Sequence, residues 1–405
     1  MRELYQETIR ETSLNITRWE IDSIRNKTIT KSGCRIFRDG LVGIAGTLGQ
    51  PTDTTWREAE ANLAEKIPYP YDWAIGSVRG EDRREEPKDI ETLTAEIADC
   101  LRICHERHPH MVLNNKINLV EVESRLTSDA GTDLHFRDRF TIFILLAKHV
   151  DSVNVFDTNL VTLTRRFDKE QFLKFADDML GCYETKAALP AGEMPLLVIE
   201  QGDILRKLVE ELSGKKIGRK ASLFSEKLGL PLFSDAFTLG RDASKEAFGE
   251  AFFDMEGITL PDDKMILIDR GVIVHPYADK KNAAEFGLAP TGSAGGAYDD
   301  VPTLTSGHLS IASDGRTLKE LLNGELAICV VIASGGDFNS EGFFASPVQM
   351  ALLTDGERML GRLPELNISG SFYDILGKDF VGIAADTPFS HEHLAVVRMK
   401  IDKSH

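Results

Sequence analysis

No stretch of this 405-residue sequence reaches the roughly 18 uncharged apolar residues that span a bilayer, so no membrane passage by a helix is expected. The longest apolar runs, 140–147 and Ala327–Ala333, have strand length and are expected to be buried strands. Cysteine is scarce and odd in number: Cys34, Cys100, Cys104, Cys182 and Cys329 lie scattered along the chain, which argues against a disulfide framework and fits a reducing compartment. The opening Met1-Arg2-Glu3-Leu4-Tyr5-Gln6-Glu7 is charged and lacks the apolar core of a secretory signal, so a cytoplasmic location is expected. Positive charge is also short. Against 64 Asp and Glu stand 47 Lys and Arg, a formal charge of -17 that repels a phosphate backbone unless the basic residues gather on one face. Only Arg83-Arg84 and Lys215-Lys216 with Arg219-Lys220 approach such a cluster. Each has acids nearby, so no nucleic-acid partner is expected. The nucleophile elbow GxSxG is missing, and no cysteine stands in a papain-like or caspase-like context. Gly292 to Gly296 lacks the spacing of a phosphate-binding loop, which removes support for nucleotide binding.

What is present reads as an α+β protein of two domains, since 405 residues exceed one ordinary compact core. The first 20 residues are expected to form a short helix running into a strand. Strands follow at 19–29, 33–37 and 41–46, with Asp39-Gly40 as a hairpin turn. Helices are expected over 56–67, ended by Pro68 and Pro70, and over 91–106, with Leu93, Ile97 and Leu101 near one face. Strands at 111–123 and 134–146, a helix at 169–180 and a Pro/Gly-rich stretch at 190–195 complete the first half. The boundary is placed at about 192, giving an N-terminal mixed helix and antiparallel-sheet domain (1–191) and a β-rich C-terminal domain (192–405). The second domain opens with a strand at 196–200 and an amphipathic helix at 204–212, with Asp203 as its cap and Gly214 as its stop. Beyond Arg219 come short apolar runs broken by Gly, Asp and Asn, with one convincing later helix at Leu318–Leu322.

Two constellations suggest metals. Cys100, Cys104, His105, His108 and His110 crowd eleven residues, but their spacing is not that of known zinc sites, and the structural reading, two small buried thiols on one helix face, is preferred. His391-Glu392-His393 has its histidines two apart, as a strand would pair them, not one helical turn apart as zinc-binding helices require.

The punctuation of the second half carries more information. Phe253-Asp254-Met255-Glu256-Gly257, Ile268-Asp269-Arg270-Gly271-Val272, Thr291-Gly292-Ser293-Ala294-Gly295, Gly335-Gly336-Asp337-Phe338-Asn339 and Ile368-Ser369-Gly370 occur in that order. In order and spacing they resemble the TldD/TldE family, in which TldE is also called PmbA and which also carries the label modulator of DNA gyrase. Ser222 to Gly229 resembles the segment that follows the first helix of the family's second domain, and Gly33-Cys34-Arg35-Ile36, Gly40 to Gly43 and Leu126 to Gly131 are similar to its weaker N-terminal signatures.

The resemblance implies a cytoplasmic peptidase of two related subunits acting on unfolded peptides. TldD-type subunits carry HExxxH on that helix and a cysteine ligand near the C-terminus; two imidazoles would hold zinc and the glutamate would act as general base. TldE-type subunits lack these groups. Here the equivalent helix contains no histidine, Leu205, Arg206 and Glu210 stand at the degenerate zinc positions, and no cysteine follows Asp379. The resemblance therefore implies no metal and no catalytic residue in this chain, zinc in a TldD-like partner, and a peptide substrate. Its expected channel residues are Asp254, Glu256, Gly257, Thr291, Gly292, Gly335, Gly336 and Asp337, although an acid at such a junction commonly bonds the N–H groups of its own turn. Two alternatives remain open: a homodimeric peptide-binding or maturation protein without a peptidase partner, and a stand-alone metalloenzyme using Cys100, Cys104 and His105, or His391 and His393.

Overall fold

The computed structural model describes residues 1–189, 194–199, 202–386 and 393–403. The first half comprises β1 (Arg2–Thr17), β2 (Glu20–Arg38), β3 (Leu41–Leu48), α1 (Asp53–Ala61), β4 (Ile67–Pro68), β5 (Val78–Asp82), α2 (Ile90–Arg107), β6 (Met111–Ser128), β7 (Asp133–His149), β8 (Thr158–Thr164) and α3 (Lys169–Glu184). Alternating side chains let β1, β2, β6 and β7 each run 16 to 19 residues, far beyond the usual strand of about 5–6. They order the sheet as β4-β3-β2-β1-β6-β7-β5, with β8 also on β7.

Several expectations need correction. The first 20 residues contain no helix: β1 pairs along its length with β2 on one side and β6 on the other, and two complete ladders outweigh local helix preference. The helix expected over 56–67 begins earlier, at a Thr52/Thr55 capping box, and gives way to a short 3-10 turn that ends on left-handed Lys66. Ile67 and Pro68 then pair with β3, so Pro68 lies in an edge strand. The Asp39-Gly40 turn forms as expected, both residues at positive φ (53° and 73°).

One face of the sheet carries the helices. Leu93, Ile97 and Leu101 of α2 and Phe172 and Ala176 of α3 pack on Leu14, Ile117, Phe143 and Leu145, and this core continues into Leu318, Leu321, Leu352 and Val396 of the second half. Cys100 and Cys104 are buried within it. At the other end of the same face α1 sits against β3, where a Cβ on Gly43 would lie 2.2 Å from the Ala59 carbonyl oxygen.

The second half begins with β9 (Met194–Ile199) and α4 (Asp203–Glu211). Five strands close into a barrel in the order Ala327–Ala333, β9, Leu394–Lys403, Leu366–Ser371, Phe343–Thr354 and back to the first. A four-stranded sheet beside it joins Leu239–Asp242, Lys264–Asp269, Val272–Ile273 and Leu309–Ile311. The α+β class is confirmed. The helix at Leu318–Leu322 is present with a capping box, and Lys280–Phe286 forms a second helix, too short for its periodicity to register, between Asp279 and left-handed Gly287. Gly202 is the α4 cap and Asp203 the first helical residue, while Gly214 opens the next turn, Gly214–Gly218, and does not end the chain's helical path. The boundary expected near 192 lies outside the described residues.

The sheet face opposite the helices receives the second half. Gly33 and Gly46 are cross-strand partners, and a Cβ would come within 1.9 Å of the Tyr298 carbonyl oxygen at Gly33 and 2.2 Å of the Asp299 Cβ at Gly46. Gly80, in β5 of the same sheet, meets nothing nearer than 4.0 Å. Gly33→Ala is therefore expected to cost at least about 1–3 kcal/mol in urea denaturation, as overpacking does, and Gly80→Ala to be near neutral. Equal losses in the two variants would show that the approach of Tyr298 is not what requires glycine at 33.

Candidate functional site

The Phe253–Gly257 turn is the keel on which the second half docks. Phe252 and Phe253 pack on Leu126, Leu134 and Phe136 of β6 and β7. Asp254 is buried and accepts from the backbone N–H groups of Glu256 (2.9 Å), Ile258 (2.9 Å) and Ala294 (3.0 Å). The Met255 carbonyl accepts from Arg35, whose same Nη1 also meets Glu3 at 3.1 Å. Glu256 takes the Tyr69 hydroxyl on Oε1 (3.0 Å) and the Lys280 N–H on Oε2 (2.9 Å), and Lys280 Nζ donates to the carbonyls of Glu256 and Asp72. A Cβ on Gly257, which has φ of 74°, would approach Ala74 and Leu126 to within 2.8 Å.

Burial dominates the electrostatics. It pushes Asp254 up to about 6 despite three backbone donors, and with the charge of Asp254 it pushes Glu256 up to about 7. Glu3 is raised by burial against the pull of Arg35.

Of the expected channel residues, Asp254, Glu256, Gly257, Thr291 and Gly292 come together here. Thr291 Oγ1 accepts from the Ala278 N–H (2.9 Å) and meets Ser293 Oγ (2.8 Å), while the Gly292 carbonyl accepts from Arg241. Gly335, Gly336 and Asp337 belong instead to the barrel: Asp337 pairs with Ala345, and a Cβ on Gly336 would stand 2.7 Å from Ser346 Oγ. Sequence reading missed Arg35, Tyr69 and Lys280. Arg35 had left a signal, a cation inside the apolar Cys34-Arg35-Ile36-Phe37.

On α4, Leu205 is buried, Arg206 is exposed and bonds Asp203 at 2.7 Å, and Glu210 bonds Lys216 at 2.7 Å, which holds its carboxyl low. These positions offer a single oxygen donor, already held by a lysine, and do not suit zinc. Among the described residues no three His, Cys, Asp or Glu side chains group as metal ligands. The neighbouring Glu211, also missed, is 3% exposed and accepts from Lys207 (2.8 Å), Lys216 (2.9 Å) and the Leu223 N–H (2.8 Å). Burial opposes its ionisation, but the two lysines and this N–H prevail and hold it at about 2.

The other constellations disperse. A hydrogen bond with Cys104, together with burial, raises Cys100, His105 stacks on Trp19 (5.7 Å), and His108 bonds Asp177 (2.8 Å). His391 and Glu392 lie outside the described residues, while His393 contacts the Ala384 carbonyl at 3.1 Å. Arg83 is buried against the Ala243 and Ser244 carbonyls, Arg84 pairs with Asp82, and Lys216 serves Glu210 and Glu211.

A long, mainly antiparallel sheet packed against a barrel-bearing half is an architecture shared with solved proteins. TldE from Thermococcus kodakarensis superposes with a TM-score of 0.76 at 17% identity, covering 99% of this chain and 96% of that one. A Thermotoga maritima protein provisionally described as a modulator of DNA gyrase gives 0.78 at 16% identity, covering 99% and 95%. At such identities the likeness establishes the fold. A curated relative named Metalloprotease, from Methanothermobacter thermautotrophicus, is 23% identical over 168 residues, 41% of this chain and only 36% of that protein. The family model for the PmbA/TldA metallopeptidase C-terminal domain matches residues 200–403, and the chain belongs to this family, as its glycine punctuation had implied.

The two sets of carboxyls make opposite contributions to stability. Asp254 and Glu256 bind protons more tightly when folded, so their contribution is full below about pH 4 and is lost as pH rises through about 6 to 7. Glu211 is ionised when folded, so its contribution is present above about pH 4.5 and is lost as pH falls toward 2. Urea titrations should show Glu256→Gln flattening the dependence between pH 5 and 7.5 and Glu211→Gln flattening it below about 4.5. An unaltered slope in the upper window for Glu256→Gln would refute a buried, proton-retaining Glu256.

Proposed function

We propose that the chain is a TldE-like, non-catalytic subunit of a TldD/TldE-type zinc metallopeptidase of the cytoplasm, acting on unfolded peptides in maturation or degradation. The partner is a TldD-like subunit that carries HExxxH and the zinc, and this chain supports the assembly without hydrolysing peptides itself. One observation carries the reading. Helix α4 keeps Leu205, Leu208 and Leu212 in the core and a closed set of salt bridges, while its zinc-helix positions hold Leu205, Arg206 and Glu210. The scaffold of a metal helix is retained and its donor chemistry is not. Family membership and the TldE-like fold support the same assignment.

Co-expression with an HExxxH-bearing paralogue from the same genome, followed by light scattering, zinc analysis and a peptidase assay, is the test. A heteromer is expected, with zinc accompanying the partner and no hydrolysis by this chain alone. A partner that is fully active by itself and never associates would sink the proposal. So would zinc-dependent peptidase activity in the isolated chain.

A further inference from the structure

Between α3 and the barrel the structure opens into a cavity of about 760 Å3, continuous with one of about 630 Å3 that shares Asn154, Asp157, Tyr183 and Arg362 with it. Such volumes are those of ligand sites. The wall is apolar at Ile332, Met350 and Leu363 and polar at Ser334 and Gln349. At one end Arg362 lies over the Tyr183 ring at 4.1 Å, which presets its planar fork. Lys186 is its partner in a parallel bridge, through Arg362 N–H to the Thr185 carbonyl (2.6 Å) and Ala187 N–H to the Arg362 carbonyl (2.9 Å), so both cations leave the same side of the pairing. Neither has an ion pair with a carboxylate among the described residues. Of the acids that line the two cavities, Asp157 is already taken by Ser152 (2.7 Å), Asn154 (2.9 Å) and the His149 N–H (2.8 Å), while Asp151, Glu184 and Glu365 are exposed to solvent.

Two further features suit an extended chain. Strand Ala327–Ala333 pairs with Phe343–Thr354 on one side, but its pairing with β9 ends at Cys329, so 330–333 present an edge with no described partner strand, and Ile332 of this edge lines the cavity. Free strand edges bind peptides through main-chain hydrogen bonds. At the mouth, Val153 and Val155 are 98% and 88% exposed, an apolar rim that water does not favour.

We infer that this cleft receives the C-terminal end of an extended, apolar-ended peptide, with its α-carboxylate between Arg362 and Lys186 and its main chain along the 330–333 edge. The inference deepens the reading of the chain as a peptide-handling subunit and rests on it. It supplies what that reading lacks, a feature of the peptide that is recognised.

The test uses the isolated full-length chain and fluorescence anisotropy with an N-terminally labelled heptapeptide ending in leucine, as the free acid and as the amide, with N-acetyl-leucine as a small competing carboxylate. The acid should bind about tenfold more tightly than the amide, the usual scale of a charge-assisted pair. Arg362→Gln should abolish that preference, Lys186→Gln should reduce it, and Arg362→Lys should keep part of it, which separates lost charge from lost folding. N-acetyl-leucine should compete far more weakly than the unlabelled peptide. Equal binding of acid and amide, or a preference that survives Arg362→Gln and Lys186→Gln together, would overturn the assignment. Competition by N-acetyl-leucine equal to that of the peptide would overturn the extended-peptide part and leave a small-carboxylate site. No partner subunit takes part, so failure here leaves heteromer formation standing, and failure of the heteromer leaves this binding measurable.

Discussion

The structure depends on how the strandless segment between residues 243 and 257 is satisfied when it is pressed against a β-sheet. Its backbone carbonyls have no ladder to join, and a buried carbonyl left unpaired costs about 1–3 kcal/mol. Arginines from the first half meet this demand. Arg35 donates to Met255, Arg83 to Ala243, Ser244 and Glu250, and Arg165 to Lys245 and Ala247. Each also lies near an aromatic ring, Tyr5, Phe136 and Phe248 respectively, at 5.7, 4.9 and 4.4 Å. Guanidinium suits this task because it has five donors, stays charged and tolerates desolvation against a ring better than an ammonium does. Asp138 completes the arrangement from the sheet side by holding Arg165 and accepting the Gly249 N–H.

This dependence explains what could be read from the sequence. The Asp39-Gly40 hairpin, the strands of β6 and β7 and the helices α2 and α3 are written in local periodicity and turn chemistry, and all form where expected. The glycine-punctuated motifs were legible as turns and as a family signature. Their partners were not, because Arg35 lies 220 residues from Met255 and Tyr69 lies 187 from Glu256, and nothing local encodes such pairs. The misread N-terminus has the same origin. Glu3, Glu7 and Glu11 recur at helical spacing, yet in β1 they share one face of a strand, opposite Arg35, Lys31 and Lys27 of β2. The ladders to β2 and to the distant β6 together decide between the two conformations.

Helix α4 is tied to this seam through the residues that follow it. The Leu212 carbonyl accepts from Tyr277, and Tyr277 in turn accepts from Gly214. The next residue, Ala278, is held by Thr291, and Lys280 two further on donates its N–H to Glu256, which faces Tyr69 of the first half. At the other side, Glu211 binds the Leu223 N–H and Ser222 Oγ caps the Glu211 carbonyl. The helix is thus fixed at its C-terminal end by backbone and side-chain bonds that use neither Arg206 nor Glu210. Substitution at those two exposed positions costs the scaffold little, as expected for surface residues whose ion pairs, Arg206 with Asp203 and Glu210 with Lys216, are solvent-exposed. Replacement of Leu205, Leu208 or Glu211 would empty or unpair buried groups instead. The fold therefore permits donor chemistry to vary at Arg206 and Glu210 while the helix, its turn and the docked halves remain as they are.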